Sequence, residues 1–152
     1  YFLEQFRTTL YRQTMFAEFE LKANQMTERG EGLTAGALWD FYRQLNADYF
    51  GSDIVVDEEI SLEWARIPHF YYNYYVYQYS TGYAAAIALS QKILSGGPEA
   101  VEHYLGFLKG GCSKPPIDLL RGAGVDMATA KPIDDALALF DSLLDEMDEL
   151  MN

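Results

Sequence analysis

Between Tyr1 and about Glu28 the chain has neither proline nor glycine, and its apolar residues recur at helical spacing in two stripes, Phe2/Phe6/Leu10 and Tyr11/Met15/Phe19. Two stripes predict a helix buried on more than one side. Arg7, Arg12, Glu18 and Glu20, interleaved among them, are therefore expected to find ionic partners within the fold. The run Arg29-Gly30-Glu31-Gly32 supplies the stop, because glycine accepts the left-handed conformation found past helix ends. Thr34 is placed to cap a second helix whose core face reads Leu38, Phe41, Tyr42, Leu45 and Tyr49, with Gly51 as its end. Ile54-Val55-Val56 is a short β-branched run with no second such run to pair with, so no sheet is predicted. Asp57 then offers a cap for a short helix containing Ile60, Leu62 and Trp64.

Pro68 pushes Ile67 out of the helical region and starts a new element, read as one helix as far as Ser95. Gly96-Gly97-Pro98 ends it. Glu99 to Lys109 forms a further helix with Val101, Tyr104, Leu105 and Leu108 on one side, and Lys114-Pro115-Pro116 opens a short helical turn through Leu120. After the Gly122-Ala123-Gly124 break, a last helix from about Pro132 repeats Ile133, Leu137, Phe140, Leu144, Met147 and Met151 on one face. The pattern predicts an all-α domain over residues 1–152 with about five to seven helices.

Composition bounds the function. With 152 residues, 49% hydrophobic and 22% charged, the chain can bury a core as one globular domain. Eleven basic against 23 acidic residues leave a net charge of -12, which provides no footprint for nucleic acid or an anionic membrane. Asp134, Asp135, Asp141, Asp145, Glu146, Asp148 and Glu149 belong to the solvated face of the last helix and diverge too widely to hold a metal. Cys112 is alone, so no internal disulfide forms, and no apolar run of about 18 residues offers a membrane span. A reduced, cytoplasmic setting is expected. The chain opens at Tyr1 inside an amphipathic pattern, which reads as a piece cut from a longer protein.

The residues from Trp64 to Tyr83, WARIPHFYYNYYVYQYSTGY, are unusual. Six of the 12 tyrosines lie between Tyr71 and Tyr79, beside His69, one of two histidines. A buried phenol needs a hydrogen-bond partner that leucine does not, so the composition suggests a polar, aromatic-lined cavity. On a helix starting at Pro68, His69, Tyr72, Val76, Tyr79 and Tyr83 share one face, and Phe70, Tyr74, Tyr77 and Thr81 another. Imidazole and phenol together can donate to a developing oxyanion or bind peptide backbone; the same spacing also suits plain aromatic packing. Elsewhere the chemistry is thin. His103 reads as a surface residue, Cys112 has no histidine nearby in sequence, and the glycine clusters lack the strand and the Gly-Lys-Ser/Thr ending of a phosphate loop. There is no His-Glu-x-x-His, and two histidines 34 positions apart make no zinc spacing.

The run MFAEFE at 15–20, preceded by FRTTLYRQT, the run EWARIPHFYYNYYVYQYSTGYAAA at 63–86 and GAGVDM at 122–127 resemble the C-terminal part of oligoendopeptidase F. That family belongs with the thimet-oligopeptidase-like zinc metallopeptidases. The resemblance implies a mostly helical, zincin-like peptidase whose halves enclose a deep channel and which hydrolyses short peptides in the cytoplasm. It places zinc on a His-Glu-x-x-His helix and a later glutamate upstream of Tyr1, so this piece is expected to hold no metal and to be inactive alone. It also implies that His69, with Tyr74 and Tyr77, acts in catalysis by stabilising the tetrahedral intermediate, and that Tyr72 and Tyr79 bind substrate. The expected partners are short peptides and the missing N-terminal part of the same protein, with self-association of the isolated piece through the aromatic helix or the first helix of its exposed interlobe surface. The competing reading is a non-catalytic helical domain whose aromatic segment binds a peptide or protein.

Overall fold

The computed structural model describes residues 1–152. It contains six α-helices and no strand, in agreement with the all-α expectation. The first helical stretch runs as α1 (Phe2–Gln5), a π-helical segment (Phe6–Tyr11) and α2 (Arg12–Glu28). Next come α3 (Ala35–Phe50), two 3₁₀ segments (Glu59–Arg66 and Pro68–Tyr71), α4 (Tyr77–Gly110), α5 (Pro116–Gly122) and α6 (Lys131–Met151). Contacts divide the chain into two compact units, one formed by Arg7–Ser80 and the other by Tyr1–Phe6 with Thr81–Asn152.

In the Arg7–Ser80 unit, α2 contributes Met15, Phe16 and Phe19 to a core completed by Leu38, Tyr42 and Leu45 of α3 and by Ile67 and Val76. The boundaries of α3 are local. The Ala37 N–H donates to Thr34 Oγ1 at 3.2 Å, and Gly51, at φ 77, ends the helix with its N–H on the Ala47 carbonyl at 3.0 Å. Phe19 stacks on Phe41 with centroids 5.5 Å apart and meets Tyr42 edge-on at 5.2 Å. Phe70, one residue after His69, wedges against Phe16 and Phe19 at 5.7 and 5.3 Å. That wedge fixes the backbone of the histidine segment to α2.

Of the charges expected to find ionic partners, Arg12 and Glu18 have them. Arg12 and Arg66 both donate to Glu63 Oε1, the latter at 2.5 Å, and the Tyr42 hydroxyl donates to Glu63 Oε2 at 2.8 Å. Glu18 pairs with Lys22 at 2.8 Å and accepts from the Tyr49 hydroxyl at 2.9 Å. Burial, reinforced by the carboxylate accepting its proton, pushes each phenol well above its ordinary value of 10.0. The sign of the linkage follows. Above about pH 10 the unfolded chain releases phenolic protons that the folded chain keeps, so stability is full below that pH and falls as pH rises through the folded values. Urea midpoints that decline from pH 9 to pH 11 in the wild type, and decline less in Tyr42→Phe, are the expected result.

The other unit has a smaller core of Ala88, Leu89, Ala123 and Val125, flanked by Tyr104, Phe107, Leu120 and Met127. Phe6 is fully buried there, edge-on to Tyr83 at 5.3 Å and tilted against Phe140 at 5.0 Å. Gly97, at φ 68 and ψ -162, breaks α4 just before Pro98, where the glycine pair predicted a boundary; this conformation is open only to glycine. Two predicted apolar faces are incomplete. Val101, Leu105 and Leu108 are exposed, with only Tyr104 and Phe107 of that helix turned toward the core, and Leu144, Met147 and Met151 are exposed on α6. No helix is long and apolar enough to cross a membrane.

Two local predictions are corrected. The chain does not run as a single helix from Pro68. A 3₁₀ turn ends at Tyr71, residues 72–76 are non-helical, and α4 starts at Tyr77. Asn73 and Tyr74 stand at φ 49 and 59, in the left-handed region. Asp57 likewise caps nothing, because the 3₁₀ segment at 59–66 begins from Glu58 with no side-chain cap.

Candidate functional site

His69 sits in the 3₁₀ turn, and the break at 72–76 folds the following tyrosines back onto it. Its ring stacks on Tyr75 with centroids 5.9 Å apart and planes 18° from parallel. Tyr72 and Tyr79 approach the imidazole edge-on, at 6.3 and 5.7 Å. The three phenols also touch one another, Tyr75 meeting Tyr72 at 6.1 Å and Tyr79 at 5.6 Å. Four aromatic rings thus form one contiguous polar-edged patch within a stretch of 11 residues.

Hydrogen bonds run through the patch. Tyr79 Oη lies 3.3 Å from His69 Nε2 and 3.5 Å from Tyr75 Oη. The roles follow the imidazole tautomer: with the proton on Nδ1, Nε2 accepts from the Tyr79 hydroxyl and the Nδ1–H is left as a donor; with the proton on Nε2, that N–H donates to Tyr79 and Tyr79 to Tyr75. Its bond to Tyr75 raises the Tyr79 pKa above the ordinary 10.0, which keeps this phenol protonated at neutral pH. Chemically the patch can offer neutral O–H and N–H donors to an anion or to peptide carbonyls, on apolar ring faces that hold side chains without strong sequence preference.

Of the residues expected to act, His69, Tyr72 and Tyr79 come together. Tyr74 and Tyr77 do not join the ring contacts around His69: Tyr74 is held at the left-handed turn, and Tyr77 begins α4 with its ring half-exposed. Tyr75, the ring in parallel contact with the imidazole, was placed by helical spacing on neither expected face, because that spacing assumed continuous helix through Asn73. The expected cavity is instead an open wall. Tyr72 is 61% exposed and Tyr75 and Tyr79 nearly 40%, so within this chain nothing closes over the patch. Val76 points the other way, into the core, and Tyr83 packs on Phe6 with its buried hydroxyl unpartnered.

Nothing in the chain assembles a metal site: no group of three or more histidine, cysteine, aspartate or glutamate side chains converges. His69 has three phenols around it and no carboxylate, a donor set suited to hydrogen bonding rather than to zinc. Cys112 is exposed and solitary.

Comparison with known proteins covers almost the whole chain. The model of peptidase family M3 matches residues 2–139. The chain is 56% identical over 149 residues to oligopeptidase PepF of Bacillus subtilis, covering 98% of this chain and 22% of that protein. It is 43% identical over 151 residues to the plasmid oligoendopeptidase F of Lactococcus lactis subsp. cremoris, covering 99% of this chain and 25% of the relative. The crystal structure of oligoendopeptidase-F from Enterococcus faecium superposes with a TM-score of 0.95 at 51% identity, over 99% of this chain and 29% of that one. The chain thus spans about a quarter of the length of the curated relatives it matches. With a family match running from the first turn of α1 into α6 and its likeness to oligoendopeptidases F, this chain belongs to peptidase family M3.

Proposed function

We propose that the chain is the substrate-facing, C-terminal lobe of a zinc-dependent oligoendopeptidase that hydrolyses short peptides in the cytoplasm. One observation carries this reading: a hydrogen-bonded row of His69, Tyr79 and Tyr75 stands on an exposed surface of a chain otherwise built like its peptidase relatives. A hydrogen-bonded imidazole and three phenols turned to solvent have no packing reason to be there.

In this reading His69 donates to the oxyanion that forms when water adds to the scissile carbonyl. Tyr79 and Tyr75 hold the imidazole in the tautomer and plane that aim its donor, and Tyr72 with Tyr79 lines the path of the peptide. Tyr74 and Tyr77, outside the group of rings on His69, take no part in this reading through contact with the imidazole. In this reading zinc is held by the missing N-terminal part of the same protein, as the resemblance to oligoendopeptidase F implies. The exposed Val101, Leu105 and Leu108 support a face that the rest of the protein covers, and which lets the isolated piece self-associate.

The test sets the full-length protein beside residues 1–152, with a short quenched-fluorescence peptide and a zinc assay on both. Hydrolysis and about one zinc per chain in the full-length protein, and neither in the piece, is the expected result. Peptide binding without hydrolysis by the zinc-replete full-length protein would move the reading to a non-catalytic interaction domain.

A further inference from the structure

We propose that Glu20 is a positioning residue for the histidine-tyrosine wall, an inference that rests on the functional reading of that wall given above. The Tyr74 N–H donates to Glu20 Oε1 at 2.7 Å, across 54 positions of sequence, and Glu20 is 4% exposed on α2. Tyr74 and its neighbour Asn73 occupy the left-handed region at φ 59 and 49. Asparagine tolerates that conformation, but a tyrosine there places its Cβ against the following carbonyl, so the turn needs an outside contact to persist. The buried carboxylate is that contact.

The turn lies between His69 and the two phenols that touch it most closely. Upstream is the 3₁₀ segment carrying His69; immediately downstream are Tyr75, stacked at 5.9 Å, and Tyr79, 3.3 Å from Nε2. A Tyr74 relaxed to the ordinary right-handed or extended region redirects the chain at that point and carries Tyr75 and Tyr79 off the imidazole. Glu20 touches no reacting group. It acts through Tyr74, and what it supplies is an acceptor oxygen in a buried place, a role that an amide oxygen fills as well as a carboxylate.

Glu20→Gln and Glu20→Leu in the full-length enzyme separate these functions, with His69→Ala as reference. Loss of the acceptor in Glu20→Leu lowers kcat by about tenfold to a hundredfold with KM changed less than about threefold, whereas Glu20→Gln stays within about threefold of wild type. Amide hydrogen exchange gives a second readout: the Tyr74 amide exchanges slowly in the wild type and in Glu20→Gln, and quickly in Glu20→Leu. Full kcat in Glu20→Leu overturns the proposal, as does equal loss in the Gln and Leu variants. Should Glu20→Leu fail to fold, a fast-exchanging Tyr74 amide in the wild type, or a tenfold loss in the folded Glu20→Gln, still overturns it. Full turnover in His69→Ala, with the Tyr74 amide protected, instead overturns the reading of the wall and leaves Glu20 as an anchor of the fold alone.

Discussion

Replacing His69 by alanine in the full-length peptidase lowers kcat by about a hundredfold or more, the loss typical of one donor to a developing oxyanion, while KM for a short peptide changes by less than about tenfold. The split matters because the two roles are separable. A donor used only in the transition state acts on kcat, whereas a ring that merely holds the peptide acts on KM. Tyr79→Phe keeps the edge-on contact of 5.7 Å but removes the hydroxyl between His69 and Tyr75, and so costs about tenfold in kcat with little change in KM. Tyr72→Ala, lacking any hydroxyl bond to the imidazole, falls mainly on KM. His103→Ala, on an exposed stretch of α4, leaves both parameters unchanged and serves as the control. Steady-state kinetics on one peptide measure the whole set. Unchanged kcat in His69→Ala and Tyr79→Phe would remove the catalytic assignment.

Glu63→Ala has the largest expected effect on stability, a loss of about 3–5 kcal/mol. Its carboxylate, 3% exposed, is the common acceptor for Arg12, Arg66 and the Tyr42 hydroxyl. Removing it strands a partly buried guanidinium and, more seriously, a phenol in the centre of the Arg7–Ser80 unit, where Tyr42 has no exposed surface. Arg66 adds little, because its side chain is 72% exposed and screened by solvent. Tyr42→Phe removes one hydrogen bond to a charged group while keeping the ring, and costs about 1.5–3 kcal/mol. Urea unfolding near neutral pH checks both. A Glu63→Ala midpoint equal to that of the wild type would mean that solvent, rather than the carboxylate, satisfies this network.

How far the sequence sufficed depends on how local the controlling interaction is. The bounds of α3 were readable because Thr34 and Gly51 act on the helix they border. The need for partners around α2 was readable too, since charged residues among two apolar stripes leave few alternatives, although Glu63 itself was not identified as the partner. The course of residues 68–76 was not readable. Nothing local in Tyr71-Tyr72-Asn73-Tyr74-Tyr75 forbids a helix, and the left-handed turn is fixed by a carboxylate on a different element. Tyr75 was lost with it, since its stacking on His69 exists only because the chain turns. Density of tyrosine beside a single histidine nevertheless marked the segment whose rings gather into one patch. The exposed faces at Val101–Leu108 and Leu144–Met151 follow the same logic: helical spacing marks residues that favour burial and is silent on whether what buries them is in this chain.

The most direct measurement is a crystal structure of the zinc-loaded full-length enzyme with a phosphinic peptide, a tetrahedral mimic of the hydrated peptide bond. A role for the wall in oxyanion stabilisation requires a phosphinyl oxygen within about 3.2 Å of a ring nitrogen of His69 or of a phenol among Tyr72, Tyr74, Tyr75, Tyr77 and Tyr79. An inhibitor bound at the zinc with every one of these groups more than about 6 Å from its phosphinyl oxygens would contradict it.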